Sequence, residues 1–206
     1  MMSRFRMGGV AVAVVASVAL AGDPPGSARA EEALAVCSRA SRVPKEERER
    51  LVELGLKLAE EAVEEDDRDA KAHFAVFCNL GKQMEVHGIG VQSLLSVRRL
   101  RREVDRTLEL APDFPDALVG KGSLLIDLPR ALGGDAKEGE RLLREALRID
   151  PDYVDARIKL ARVLDARGAR DEARDEARRA VAVAERKLDD REELLEAREL
   201  LARLEK

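Results

Sequence analysis

Residues 151–185 read PDYVDARIKLARVLDARGARDEARDEARRAVAVAE, and this stretch decides the fold. Small and apolar residues recur at spacings of three and four on both sides of Gly168, which is the period of an amphipathic helix. The first set is Ala156, Leu160, Ala161 and Leu164, and the second is Ala173, Ala177, Ala180, Val181 and Ala184. Gly168 separates the two sets as a helix-ending glycine does. The stretch therefore predicts two short helices joined by a turn.

The alanines in this pair of helices predict close packing. Ala161 lies in the first helix, and Ala173 and Ala180 lie in the second. A leucine at these positions would hold the two backbones apart, whereas alanine lets them approach. One pair of helices cannot cover its own apolar face, so we expect further pairs stacked beside it.

Several positions of this pair resemble the tetratricopeptide repeat (TPR), a helical hairpin of about 34 residues. The residues that carry the resemblance are Leu160, Ala161, Leu164, Gly168, Ala173 and Ala180, together with Pro151 in the place of the preceding repeat's closing proline. The resemblance implies an all-α fold, a right-handed α-solenoid of about four TPR-like hairpins followed by a capping helix.

Upstream sequence supports this repeat pattern. Leu-Ala-Pro-Asp at 110–113 matches Ile-Asp-Pro-Asp at 149–152, which marks a repeat over 112–150. Its surplus residues lie at 128–134, after which Asp135 is predicted to cap a new helix. Earlier repeats are predicted over 31–66 and 67–111, the latter with an insertion near Gly88-Ile89-Gly90, and the fourth repeat over 151–185.

The two ends of the chain differ from the repeats. Residues 1–30 predict a signal peptide, with Arg4 and Arg6 before an apolar run of 12 residues and an Ala-x-Ala cleavage motif ending at Ala21 or at Ala30. That run is shorter than the roughly 20 residues of a membrane-spanning helix, so we expect no membrane span after cleavage. The mature domain is then 31–206, exported to a bacterial periplasm. Residues 189–206, opened by Asp189-Asp190, predict the polar-backed capping helix.

Composition argues against a nucleic-acid partner. The chain has 37 basic and 41 acidic residues; residues 1–30 hold three basic and one acidic, so 34 basic and 40 acidic remain, a net charge of −6. The one basic cluster, at 98–102, precedes Glu103 and Asp105 and predicts a solvated helix face. Few aromatic residues are available to stack on bases.

Reactive side chains are scarce. His73 and His87 lack a second ligand at helical spacing, so no metal, cofactor or catalytic group is expected, and the chain is predicted not to be an enzyme. Cys37 and Cys78 are the two cysteines. An exported chain with an even number of cysteines favours a disulfide, but packed helices stand 8–10 Å apart and a bridge needs Cα atoms within about 7 Å. A Cys37–Cys78 disulfide and two buried thiols both remain open.

The TPR resemblance places the first helix of each hairpin along a concave groove. The groove residues that it implies are Lys71, Phe74, Cys78, Asp116, Val119, Ser123, Ile126, Asp155, Ile158, Arg162 and Asp165. Mixed apolar and charged groups on such a surface suit an extended peptide or a partner helix. The chain is therefore predicted to be a non-enzymatic interaction module that binds a protein or peptide.

A second interpretation rests on the long insertions. The chain is also similar to periplasmic TPR proteins of tripartite (TRAP-type) solute uptake systems and to the TPR domain of regulator-of-microtubule-dynamics proteins. The first similarity implies an accessory protein that binds a small apolar ligand and a receptor protein. Its cavity would be lined by Phe74, Phe77, Leu94 and Leu125. The sequence lacks that family's lipid-attached cysteine.

Overall fold

The computed structural model describes residues 22–87, 93–187 and 191–206. Within these ranges the chain forms nine α-helices and no strand. They are α1 (Ala28–Ala40), α2 (Lys45–Glu65), α3 (Ala70–His87), α4 (Ser93–Leu110), α5 (Pro115–Asp127), α6 (Ala136–Ile149), α7 (Val154–Ala166), α8 (Arg170–Ala184) and α9 (Arg191–Leu204). Residues 1–21, Gly88-Ile89-Gly90 and Asp189-Asp190, on which three of the predictions rest, lie outside the described residues.

The helices pack as four successive hairpins, α1 with α2, α3 with α4, α5 with α6 and α7 with α8. The ninth helix packs against α8 and also reaches α7. First helices of neighbouring hairpins touch as well, α1 with α3 and α5 with α7. The predicted all-α solenoid is confirmed. None of the helices that the structure describes combines the length and apolar character that crossing a membrane requires.

The α7–α8 hairpin follows the sequence pattern closely. Ala161, Ala173 and Ala180 are all fully buried, as close packing of the two helices requires. Gly168 has a φ of +85°, and the next N–H, of Ala169, donates to the Leu164 carbonyl at 2.9 Å. This left-handed glycine closes α7 as predicted.

The α5–α6 hairpin is drawn together by two glycines. A Cβ atom at Gly139 would lie 2.6 Å from the Gly122 carbonyl oxygen, so the two backbones touch where neither residue has a side chain. The Asp135 side chain accepts hydrogen bonds from the N–H groups of Lys137 and Glu138 at 3.0 and 3.1 Å. Asp135 therefore caps α6, as predicted, after a short 3₁₀ turn over Arg130–Leu132.

The first repeat begins earlier than the predicted boundary at residue 31. Helix α1 begins at Ala28, and the Ser27 hydroxyl accepts a hydrogen bond from the Ala30 N–H at 3.2 Å. Ala30 is fully buried. Residues 22–27 precede the helix and pack against the array, so the predicted boundary falls within the first turn of α1.

Candidate binding groove

Two adjoining cavities open along the inner helices α3, α5 and α7. The larger has a volume of about 850 Å³ and the smaller about 540 Å³. Both are lined by Phe74 and Cys78 of α3, by Asp116 of α5 and by Tyr153 just before α7. We call this shared concave surface the groove. Leu34 and Cys37 of α1 also line the larger cavity, so the groove brings together side chains from all four hairpins.

Aromatic rings form the floor of the groove. Phe74 stacks on Phe77 with ring centroids 5.8 Å apart and meets Phe114 edge to face at 5.0 Å. Gly120 makes room for this arrangement, since a Cβ atom there would lie 2.6 Å from the Phe77 ring. Phe77 is the partly exposed ring of the three and can contact a ligand, with the buried Phe74 and Phe114 rings packed behind it.

A tyrosine–aspartate pair stands on the wall of the groove. The Tyr153 hydroxyl donates to Asp116 Oδ1 at 2.5 Å across 37 residues of sequence. Burial raises the pKa of Asp116 above its usual value, and the hydrogen bond from Tyr153 opposes that rise only in part. Burial and the neighbouring Asp116 also raise the pKa of Tyr153, which keeps the hydroxyl protonated as a donor.

Lys71 lies at the start of α3, at one edge of the groove. Its ammonium contacts Glu31 Oε1 at 2.6 Å and the Asp23 carboxylate at 3.1 Å, and the side chain is 10% exposed. Burial alone would lower the pKa of Lys71, but the hydrogen bonds to Glu31 and Asp23 outweigh it and raise the pKa. Lys71, one of the two cations among the predicted groove residues, is thus already paired within the chain.

A disulfide joins Cys37 of α1 to Cys78 of α3, with a Cα–Cα distance of 6.3 Å. The roughly 8–10 Å spacing of packed helices is measured between their axes, and Cα atoms lie about 2.3 Å from each axis, so facing Cα atoms come within reach of a bridge. Of the two alternatives, the structure has the bridge, and it lies in the wall of the larger cavity.

The structure gathers most of the predicted site residues. The two cavities include Lys71, Phe74, Cys78, Asp116, Val119, Ser123 and Asp155. A third cavity of about 320 Å³ farther along is lined by Ser123, Ile126 and Arg162.

Two of the predicted groove residues lie elsewhere. Ile158 is fully buried in the core, so its placement in the groove was wrong. Asp165 faces Arg170 and Arg203 at 3.8 and 3.7 Å instead of lining a cavity described above. Arg203 belongs to α9, which packs against α7 as well as α8, so Asp165 faces that helix. Arg162 is drawn to α9 in the same way, with Glu196 at 2.8 Å.

Sequence reasoning missed other parts of the groove. Tyr153 was not among the predicted residues, although it is the one tyrosine of the chain and directly precedes an inner helix. Asp23 and Gly22 lay within the predicted signal peptide. Of the residues expected around a small ligand, Phe74 and Phe77 line the smaller cavity, Leu125 is buried in the core, and the Leu94 side chain lies outside the described residues.

Comparison with known proteins agrees with this architecture. Residues 132–204 match the model of the tetratricopeptide repeat family. None of the curated proteins matches the sequence. The match begins at the end of the 3₁₀ turn and extends to the end of α9.

Solved structures extend the likeness to most of the chain. The thermophilic TPR protein TTC0263 of Thermus thermophilus is 18% identical, with 85% of this chain and 80% of that chain covered and a TM-score of 0.58. MamA 41-end from Desulfovibrio magneticus RS-1 is 15% identical, with 88% and 96% covered and a TM-score of 0.52. A MamA RS-1 ArsTM double mutant is 16% identical, with 88% and 97% covered and a TM-score of 0.51. The chain has the fold of a TPR protein.

Proposed function

We propose that this chain is a non-enzymatic scaffold that binds a protein or peptide segment in the groove. The observation that carries the proposal is the continuous concave surface shared by α3, α5 and α7. Its apolar floor of phenylalanines can take apolar side chains, and the Tyr153–Asp116 pair offers polar partners to a backbone. Peptide recognition by stacked helical hairpins uses such a surface.

The charges around the groove favour a segment of mixed character. Lys159 pairs with Asp155 at 2.9 Å, and Lys82 pairs with Glu85 at 3.0 Å, so both signs stand along the walls. These pairs are partly exposed and contribute little to stability, so a ligand can replace either partner at small cost. Specificity then comes from the spacing of charges around the aromatic floor.

A single substitution in the groove tests this proposal. Ser123 is half-buried where the second and third cavities meet, and its hydroxyl donates to the Val119 carbonyl at 2.8 Å. Ser123→Arg would fill that space with a charged side chain. The matched control is Glu109→Arg, because Glu109 is exposed at the end of α4 and lines none of the three cavities.

The assay is affinity capture from an extract of the source cells, followed by mass spectrometry. We expect Ser123→Arg to lose a protein that the unchanged chain and Glu109→Arg both retain. Retention of every captured protein by Ser123→Arg would contradict groove binding.

We also propose export, with cleavage after Ala21 and not after Ala30. Support comes from the disulfide, since such bridges persist in oxidising compartments. A cut after Ala30 would remove the Ser27 cap and the fully buried Ala30. The intact mass of protein isolated from the periplasm of expressing bacteria is expected to correspond to a chain beginning at Gly22. A chain beginning at Glu31, or an uncut chain held in the cytoplasm, would overturn this.

A periplasmic accessory of a TRAP-type uptake system remains the second candidate. The smaller cavity favours it, because about 540 Å³ lined by Phe74, Phe77 and Met84 falls in the range of small-molecule sites. Native mass spectrometry of the purified chain separates the two proposals. A bound small apolar molecule that is lost with Phe77→Asp would support this candidate over peptide binding.

A further inference from the structure

Residues 22–27, Gly-Asp-Pro-Pro-Gly-Ser, run along the edge of the groove where α3 and α5 begin. We call this segment the strap. Gly22 and Asp23 form part of the wall of the larger cavity, together with Lys71, Pro115 and Asp116. The strap therefore occupies a place on the concave side where a peptide ligand would also lie.

Two prolines stiffen the middle of the strap and favour an extended backbone there. Pro24 and Pro25 fix φ near −65°, and each disfavours helical backbone in the residue before it. Ser27 has φ −67° and ψ 155°, in the range of polyproline II. Such a segment loses little conformational entropy when it binds, as proline-rich ligands do.

Two glycines fit the strap to the surface. Gly22 has a φ of +113°, and a Cβ atom there would lie 2.9 Å from Ile149 Cγ2 and 3.2 Å from the Asp113 carbonyl oxygen. At Gly26 a Cβ atom would lie 2.7 Å from the Lys71 side chain. The backbone thus contacts the array at both ends of the strap, at positions where a side chain has no room.

Polar contacts anchor the strap at Asp23 and at Ser27. The Asp23 carboxylate pairs with the Lys71 ammonium at 3.1 Å, and the Ser27 N–H donates to Asp69 Oδ2 at 2.7 Å. Lys71 is almost entirely covered, and Glu31 supplies its other carboxylate. Losing Asp23 would leave a buried ammonium with one partner fewer, so this position selects a carboxylate.

We propose that this edge of the groove recognises an extended, proline-containing segment with a carboxylate, and that the strap occupies the site in cis. A partner segment of the same chemistry binds there by displacing residues 22–26, with its carboxylate on Lys71. The inference rests on the proposed function and names the chemical class of peptide that the groove takes.

The covalent link makes the strap a strong competitor. The strap continues directly into α1, and a segment tethered so closely acts at an effective concentration in the millimolar range. The apparent affinity for a free peptide is therefore reduced in proportion to the fraction of chains whose site is free of the strap. Unseating the strap should therefore raise the affinity for a free segment of the same sequence, while the binding surface itself stays unchanged.

The test uses a synthetic peptide, Gly-Asp-Pro-Pro-Gly-Ser, and isothermal titration. Three chains are compared: the chain from Gly22, the same chain carrying Gly22→Val and Asp23→Asn, and a chain from Ser27, which keeps the helix cap. We expect the peptide to bind the second and third chains at least about tenfold more tightly than the first, given the occupied fraction. Far-ultraviolet circular dichroism checks that each chain is folded.

Two controls define the chemistry. The first is a peptide with asparagine in place of aspartate, and the second is Lys71→Met added to the Gly22→Val, Asp23→Asn chain. We expect each to lower the affinity by at least about tenfold, because each removes one charge-assisted contact. Equal binding to all three chains, or binding to none of them, would overturn the proposal. If the chain from Ser27 does not fold, the double variant decides the question alone.

A negative result in this titration would leave the groove proposal standing. The titration probes Lys71 and the strap, whereas the capture experiment probes Ser123, two helical turns along α5 from Asp116. Suppose that a captured protein is lost with Ser123→Arg but is captured equally by the chains with and without the strap substitutions. That result would overturn the inference and leave the scaffold function in place.

Discussion

Adding one methyl group at Gly139 tests how closely α5 packs on α6. The new Cβ would lie 2.6 Å from the Gly122 carbonyl oxygen and 2.6 Å from Ile126 Cγ1. Optimal contacts between non-bonded atoms are about 3.5–4.0 Å, so both neighbours are far too close. Ile126 can rotate, but the carbonyl belongs to the backbone. We therefore expect Gly139→Ala to push the two helices apart.

The magnitude follows from two opposing effects. Overpacking a close contact costs about 1–3 kcal/mol, and alanine in a helix interior is favoured over glycine by up to about 1 kcal/mol. We expect a net loss of about 1–2 kcal/mol in the free energy of unfolding, from the balance of these terms. Gly81→Ala is the matched control, since the nearest atom to its Cβ is Leu100 Cδ2 at 4.0 Å. That variant should gain about 0.5–1 kcal/mol.

Urea denaturation followed by far-ultraviolet circular dichroism measures both variants. The midpoint should fall for Gly139→Ala and rise for Gly81→Ala, with the slope of free energy against urea unchanged. A Gly139→Ala chain as stable as the unchanged one, beside a stabilised Gly81→Ala chain, would refute the backbone contact between α5 and α6.

Three further changes have defined outcomes. Burial alone would lower the pKa of His73, but its hydrogen bonds with Glu103 at 2.8 Å and with the Asp67 carbonyl outweigh burial and raise the pKa. The stabilisation from protonated His73 is therefore complete below about pH 6.5 and is lost as pH rises through the folded-state pKa. His73→Gln should remove this dependence of the free energy of unfolding on pH, measured by denaturation at several pH values. Reducing the disulfide should cost about 2–4 kcal/mol, measured by urea midpoint with and without reductant. Gly168→Ala should cost about 1 kcal/mol, because its φ of +85° is strained for alanine, and an unchanged melting temperature would contradict this.

Local features of the fold were readable from sequence. The small residues of the α7–α8 hairpin, the glycine that ends α7 and the Asp135 cap of α6 each depend on residues a few positions apart, so periodicity and capping preferences identify them. The C-terminal repeat was clearest because its spacing is regular, whereas surplus residues blur the pattern upstream.

Features that depend on how hairpins stack were not readable. Tyr153 reaches Asp116 across 37 residues, and Ile158 is buried in a core cluster that several hairpins and α9 build together. The disulfide was left open because it depends on whether Cys37 of α1 and Cys78 of α3 face each other, and these residues lie in different hairpins. No local pattern distinguishes these outcomes, since each is set by contacts between different repeats.

The most direct test of the scaffold function is site-specific photo-crosslinking in living source cells. A photoreactive amino acid replaces Ser123 in the groove in one strain and Glu109 outside it in another. We predict a crosslinked protein adduct of one defined mass from the groove position and none of that mass from the outer position. The same adducts from both positions, or no adduct from the groove, would contradict the account.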